Sequence, residues 1–218
     1  MLKCLTSELR LETATHLPEV PEKLRGSIAS QNLEEDRFHQ HSDSGLFYRY
    51  PRIHYHVLNG LATVTGWLEG VEMTKRLFQQ TSSLQIENRS HKVIRKELKI
   101  TEQDYGLTTE KIRYMFISPW LALNSGNYRK YQGYSKTLKK EFLEKILIGN
   151  LLSVSKGLNY TVPGRINVSI IYLRPRKCIL KGTPVIGFTG AFEVNFALPN
   201  LLGLGKSVSR GFGAVKKI

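Results

Sequence analysis

The dipeptide Asn59-Gly60 is the strongest local constraint on how this sequence can fold. It lies between two stretches, Leu46–Leu58 and Leu61–Leu68, that are rich in the aliphatic, aromatic and β-branched residues of strands. Asparagine and glycine both tolerate the left-handed backbone conformation that a two-residue hairpin turn requires. The sequence therefore predicts a β-hairpin centred on these two residues.

Strand and helix patterns alternate on both sides of this hairpin. Pro21 can begin a helix in which Val20, Leu24 and Ile28 share one face at four-residue spacing. In chain order we predict a strand over residues 2–13, a helix over about 19–31, the hairpin, a helix over about 69–80, and strands over about 83–88 and 92–101. This β-α-β-β-α-β order is that of a ferredoxin-like domain.

A second unit of the same kind is predicted from about residue 109. Its clearest element is a helix over Tyr134–Val154, with an expected apolar stripe of Leu138, Phe142, Ile146 and Leu147. The strands predicted around this helix are Ile112–Ser118, Ile166–Leu173, Lys177–Leu180, Val185–Leu198 and a short one within Phe212–Lys217. We therefore expect an α+β fold of two tandem ferredoxin-like domains with antiparallel sheets, over residues 1–108 and 109–218.

The charge of the chain is divided unevenly between these two halves. Residues 1–108 carry 14 Lys/Arg and 14 Asp/Glu, whereas residues 109–218 carry 18 Lys/Arg and only 4 Asp/Glu. The whole formal net charge of +14 therefore belongs to the second half. Such an asymmetry indicates that a polyanion docks on that half, and nucleic acid is the usual candidate.

The sequence shows no signal for a membrane span, a targeting segment or a cysteine motif. No apolar run of about 18 residues exists, so a membrane span is not expected, and the first residues do not read as a targeting signal. Cys4 and Cys178 lie in strand-like stretches without a partner motif, and we expect two reduced, buried thiols. We accordingly expect a cytoplasmic protein with no metal and no cofactor.

The C-terminal segment Gly203–Gly213 reads Gly-Leu-Gly-Lys-Ser-Val-Ser-Arg-Gly-Phe-Gly. Glycine allows close approach of a bulky partner, and the cations and hydroxyls between the glycines suit phosphate oxygens. We predict nucleic-acid contacts at Gly203, Gly205, Lys206, Ser207, Arg210 and Gly211, with Lys136 and Lys140 of the basic helix along the same path. A nucleotide P-loop is the alternative, but Asn200 stands where its first glycine is required and only 11 residues follow Ser207.

The tail pattern of Gly-Leu-Gly, five residues and Gly-Phe-Gly resembles the signature of the CRISPR repeat-RNA processing endoribonucleases of the RAMP superfamily. Further stretches that resemble this family are Lys23–Gly26, Phe38–His41, Tyr48–Pro51 and Phe188–Pro199. The resemblance implies two RRM-like domains and metal-independent cutting of a precursor RNA within its repeats. The 2′-hydroxyl beside the scissile phosphate would attack, leaving a 2′,3′-cyclic phosphate and a 5′-hydroxyl.

Histidine is the natural residue for both proton transfers of such a reaction, because its ordinary pKa lies near neutrality. The motif resemblance favours His41 and His39 as catalytic residues, and the family often has another histidine near the position of His16. Tyr48 could orient the RNA or donate a proton, or it could be a half-buried strand residue. His54 and His56 share one face of a strand, where related sequences tend to have Gln and Lys. They could be a second catalytic pair, a partial metal site that would need a third ligand, or residues that line a polar sheet face.

Two other functions remain open at the level of the sequence. The chain could be a non-catalytic RAMP subunit that holds guide RNA in a CRISPR effector complex, or a basic module that binds membranes or general polyanions. The expected partner is CRISPR repeat RNA in its precursor form. Further candidate partners are other CRISPR-associated proteins and a second copy of this chain in a homodimer.

Overall fold

The computed structural model of the protein describes residues 1–18, 20–31 and 50–218. The described chain forms two compact units. We call the one made of Leu5–Glu102 and Ser209–Gly211 the N-terminal unit. The C-terminal unit consists of Met1–Cys4, Gln103–Val208 and Phe212–Ile218. Both units combine helices with antiparallel strands, which confirms the predicted α+β class.

The N-terminal unit contains the predicted series of strands and helices. Its elements are β1 (Leu2–Thr13), α1 (Pro21–Gln31), β2 (Ile53–Leu58), β3 (Leu61–Trp67), α2 (Gly70–Gln80), β4 (Ser83–Ile86) and the first part of β5 (Arg89–Trp120). The strands lie in the order β2-β3-β1-β5, and β4 forms a hairpin with the start of β5. This order is the one expected when β5 supplies the fourth strand of a ferredoxin-like sheet.

The Asn59-Gly60 turn joins β2 and β3 as predicted. Both residues have positive φ, 51° and 74°, and Leu58 pairs with Leu61 in the register. The alternation along β2 then sends Tyr55 and Val57 into the hydrophobic core. The core is completed mainly by Leu9, Leu11, Leu17, Leu24, Ile28, Ala62, Val64, Leu77, Leu84 and Ile86.

The C-terminal unit is built on a second antiparallel sheet. It contains the remainder of β5, α3 (Ser125–Gly133), α4 (Lys136–Gly157), β6 (Val168–Leu180), β7 (Thr183–Ala197) and β8 (Val215–Lys217). β7 lies between β5 and β6, and β8 pairs with β5. Aromatic side chains fill the interior between sheet and helices, among them Tyr114, Phe116, Trp120, Phe188, Phe192 and Phe196.

Two long strands replace pairs of shorter ones that the sequence predicts. β5 runs unbroken for 32 residues. The strand pattern of the sequence is interrupted near its middle, and there the structure has Gly106 at φ +135° and an irregular register between Leu107 and Ile112. β6 continues through Pro175 to join the two predicted strands. Among the described residues β6 pairs with β7 alone, and an edge strand tolerates proline because one side of it needs no ladder hydrogen bonds.

The helical region of the C-terminal unit also departs from the prediction. The helix begins at Lys136, capped by Ser135, and its buried stripe is Leu143, Leu147, Leu151 and Val154. Leu138 is 49% exposed, and Phe142 and Ile146 are only partly buried, so of the predicted stripe Leu147 alone is fully buried. The sequence carries two apolar rows one residue apart, and only packing against the sheet selects between them. α3 was not predicted.

None of the helices in the described ranges has both the length and the apolarity needed to cross a membrane.

Candidate nucleic-acid interface

The glycine-rich tail is a closed, hydrogen-bonded loop. Gly203 and Ala214 form an isolated antiparallel bridge, and the N–H of Leu204 donates to the carbonyl of Gly213 at 2.9 Å. At the far end of the loop, the N–H of Lys206 donates to the carbonyl of Leu121 at 3.2 Å. The backbone of this segment is therefore fixed by the protein itself.

The glycines of the loop permit close packing against protein atoms. A Cβ on Gly205, where φ is +91°, would lie 2.7 Å from the indole nitrogen of Trp120 and 2.9 Å from the carbonyl oxygen of Leu121. A Cβ on Gly203 would lie 2.6 Å from that of Val208. In the N-terminal unit, a Cβ on Gly211 would lie 2.6 Å from Cγ of Pro21. The first role of these glycines is thus to fit the loop onto the fold, and their predicted RNA contacts stay a prediction.

We expect Gly205→Ala to lower the free energy of unfolding by about 2 kcal/mol, because alanine is strained at this φ and its methyl group would overlap Trp120. Gly149→Ala in α4 is the matched control. A Cβ at Gly149 meets nothing within 4 Å, so this change should leave stability equal or raise it by up to about 1 kcal/mol. Urea unfolding of both variants measures the difference, and equal stability would contradict the packing role.

Two side chains of the loop remain available to a ligand. Lys206 is exposed and Ser207 is partly exposed, with the Ser207 backbone in the left-handed region at φ 57°. The segment that follows is a single 3-10 turn, Val208–Arg210, rather than the long helix of a P-loop. Lys206 and Ser207 can therefore present a cation and a hydroxyl to a phosphate, without the geometry of a nucleotide site.

Arg210 has a protein partner inside the N-terminal unit. Its guanidinium Nη1 lies 3.7 Å from the Glu22 carboxylate oxygen Oε2, and the two side chains are 26% and 32% exposed. Glu22 is in the first turn of α1, so the ion pair ties the tail to the start of this helix. A phosphate that bound Arg210 would have to compete with the Glu22 carboxylate. In this respect Arg210 differs from Lys206, which is exposed.

The histidines with the strongest motif resemblance, His39 and His41, lie outside the described residues, as does Tyr48. His16 is described and exposed, and its ring lies against Gly60 of the β2–β3 turn. His91 accepts from or donates to the Thr15 hydroxyl, with 3.0 Å between Nδ1 and Oγ1. His16 is thus accessible to a ligand.

His54 and His56 line a polar face of the sheet, but that face is buried. The register places Thr65 beside His54 and Thr63 beside His56, and all four residues are at most 2% exposed. The His54 ring has its centroid 5.3 Å from that of Tyr50 and 5.6 Å from that of Trp67. This environment offers no access to a substrate.

Burial lowers the pKa of His56 to about 4, although its interaction with the Gly211 backbone works against the shift. The imidazole is consequently neutral at neutral pH. Within the described ranges, no three His, Cys, Asp or Glu side chains come together as possible metal ligands. Cys4 is buried and Cys178 is partly exposed, and neither is in a disulfide.

The predicted helix contacts, Lys136 and Lys140, are both on the exposed surface of the C-terminal unit. Lys140 forms an ion pair with Glu144, with 3.9 Å between the ammonium nitrogen and a carboxylate oxygen. The same carboxylate oxygen accepts a hydrogen bond from the Ile170 N–H of β6 at 2.9 Å. The β6–β7 hairpin adds further cations. Arg174 stacks over Tyr172, with 5.6 Å from the guanidinium carbon to the ring centroid, and Arg176 and Lys177 are exposed beside it.

Two ferredoxin-like units with this tail define the RAMP class of CRISPR-associated proteins, as the resemblance of the tail predicted. Residues 1–104 match the family model of the Cas6b N-terminal domain, and residues 106–218 match that of the Cas6b C-terminal domain. The chain belongs to the Cas6b family.

Individual relatives agree with this family. A crystal structure described as Cas6b is 31% identical, with a TM-score of 0.88, and the match covers 100% of both chains. A second, of a protein described as CRISPR RNA processing endoribonuclease Cas6b, is 26% identical with a TM-score of 0.77 over 99% of this chain and 100% of that one. An uncharacterized protein of Methanocaldococcus jannaschii is 42% identical over 135 residues, which are 62% of this chain and 92% of that protein.

Proposed function

We propose that this protein is a metal-independent endoribonuclease that cuts CRISPR precursor RNA within its repeats. The observation that carries the proposal is that both halves of the chain match the Cas6b family, one of whose solved members is described as a CRISPR RNA processing endoribonuclease. The charge distribution supports it, since the +14 excess of residues 109–218 suits a long polyanionic substrate. We assign RNA holding mainly to residues 109–218 and proton transfer to residues 1–108.

In the proposed reaction, a base removes the proton of the ribose 2′-hydroxyl, and the 2′-oxygen forms a bond to the adjacent phosphorus. The bond from phosphorus to the 5′-oxygen breaks, and an acid protonates that oxygen. The products are a 2′,3′-cyclic phosphate and a 5′-hydroxyl. His41 is our first candidate for one proton transfer, with His39 or His16 for the other and Tyr48 to orient the RNA.

Lys206 is the better candidate for contact with the scissile or a neighbouring phosphate. It is exposed and carries no ion pair within the described part of the chain, whereas Arg210 lies 3.7 Å from Glu22. A cation at this position stabilises the extra negative charge of the phosphorane. We propose that the protein acts in the cytoplasm, the compartment expected from its sequence.

We expect cleavage of a labelled repeat RNA to survive excess EDTA, because the proposed proton transfers need no metal. A single 2′-deoxy substitution at the cut site should stop the reaction, since the nucleophile is then missing. End-group analysis of the products measures both points. Loss of activity in EDTA would indicate a metal nuclease, and binding without any cleavage would indicate a guide-RNA-holding RAMP subunit instead.

A further inference from the structure

Helix α3, Ser125–Gly133, has no buried residue. Its start is fixed by the Asn124 side chain, which accepts the Asn127 N–H at 2.7 Å. A helix of this length is marginal in water by itself and is ordinarily held by an apolar face. Among the described residues, the one aromatic ring contact of α3 is made by Tyr131, whose ring centroid lies 5.7 Å from that of Phe188. The outer face of α3 therefore contributes little to the core.

The sequence around α3 is rich in cations. From Lys111 to Lys140 the sequence contains seven Lys or Arg residues and no Asp or Glu. Lys111 and Arg113 pair with Glu193, but Arg129, Lys130 and Lys136 are exposed, and no ion pair to them occurs among the described residues. These three cations lie within eight positions of one another, on α3 and the first residue of α4.

Aromatic rings accompany these cations. Tyr128 is 37% exposed and occupies the position before Arg129. The inward ring, Tyr131, is covered by Lys139, whose ammonium lies 5.0 Å from the ring centroid. Burial raises the pKa of Tyr131. Tyr128 is thus an exposed ring on a helix that also carries the exposed cations Arg129 and Lys130.

We propose that the outer face of α3 binds a single-stranded segment of the repeat RNA. One base stacks on Tyr128, while Arg129, Lys130 and Lys136 contact phosphates. An exposed aromatic side chain among cations fits unpaired nucleotides, whose bases can be turned out to stack. A paired RNA helix would use the cations but not the ring. This inference rests on the proposed function, because it concerns how that same substrate is held.

The test is the affinity of Tyr128→Leu for an unstructured repeat RNA, measured by fluorescence anisotropy. We expect about tenfold weaker binding, because leucine removes the stacking surface, and a change of no more than about twofold for Tyr128→Phe, which keeps the ring. In a second variant, Arg129→Ala with Lys130→Ala should reduce the slope of log affinity against log salt by about 1.4 for a single strand. Lys156→Ala, an exposed lysine near the other end of α4, is the control and should bind nearly as the unchanged protein does.

The outcomes separate this inference from the function on which it rests. If the unchanged protein cleaves repeat RNA and Tyr128→Leu binds with the same affinity, the α3 surface is not a stacking site and the function stands. An equal loss of affinity by Tyr128→Phe, or an equal loss on fully paired RNA, would also overturn stacking. If the unchanged protein neither binds nor cleaves repeat RNA, the proposed function is wrong, and the inference about α3 is wrong with it.

Discussion

Replacing His41 with alanine is expected to slow the cleavage of repeat RNA by about 10²–10⁴-fold, the usual contribution of a positioned acid or base. Affinity for the RNA should change little, because in our proposal binding rests on many phosphate contacts in the basic half of the chain. The measurement is the single-turnover rate constant at saturating protein, with the affinity determined separately on RNA that carries a 2′-deoxy cut site.

His91→Ala provides the matched control for this experiment. His91 is a partly exposed histidine that is hydrogen-bonded to Thr15, and it has no role in the proposed mechanism. Cleavage by His91→Ala should stay near that of the unchanged protein. Normal cutting by His41→Ala would remove His41 from the mechanism, and the same assay on His39→Ala and His16→Ala would then identify the residue that replaces it.

The second large effect is a loss of stability at acidic pH that results from protonation of His56. Burial lowers the pKa of His56 to about 4 in the folded protein, whereas in the unfolded chain its pKa has the ordinary value of 6.5. Between these two values the unfolded state binds more protons, so the free energy of unfolding falls as the pH falls from about 6.5 towards 4. The full contribution of this group is about 3 kcal/mol. Below the folded-state pKa no further loss comes from His56.

Urea unfolding at about pH 7 and about pH 4.5 measures this effect. His56→Gln should lose less stability on acidification than the unchanged protein, because glutamine has no proton to gain. His16→Gln is the control, since it removes an exposed histidine and should retain the full acid sensitivity. Carboxylates such as Glu193, whose pKa is lowered mainly by its hydrogen bond to Arg113, titrate alike in all variants. Identical pH dependence of the two variants would contradict the assignment.

Local signals in the sequence predicted the N-terminal unit well. The Asn59-Gly60 turn and the helix beginning at Pro21 depend on backbone preferences of neighbouring residues, and both occur as predicted. The continuity of β5 and β6 depends instead on pairing with β7, a partner distant in sequence. α3 escaped prediction because it has no apolar face, and the predicted stripe of α4 was wrong because two apolar rows compete on it.

For the candidate site, the sequence located the residues of interest but did not predict how they pack. The spacing of glycines predicted close approach by RNA, whereas in the structure protein atoms lie against Gly203, Gly205 and Gly211, and RNA contacts at these glycines stay a prediction. The structure places Trp120 against Gly205 and Pro21 against Gly211. The alternation of His54 and His56 predicted a shared polar face, yet its burial follows from packing that the strand pattern does not contain.

The exchange of short terminal segments between the two units has a consequence for biosynthesis. Ser209–Gly211 belongs to the N-terminal unit, with Gly211 close to Pro21 and Arg210 paired with Glu22. A ribosome makes these three residues only after it has made residues 1–208. The N-terminal unit therefore cannot complete its native contacts while it emerges. A chain that stops before Ser209 would lack part of its N-terminal unit as well as β8.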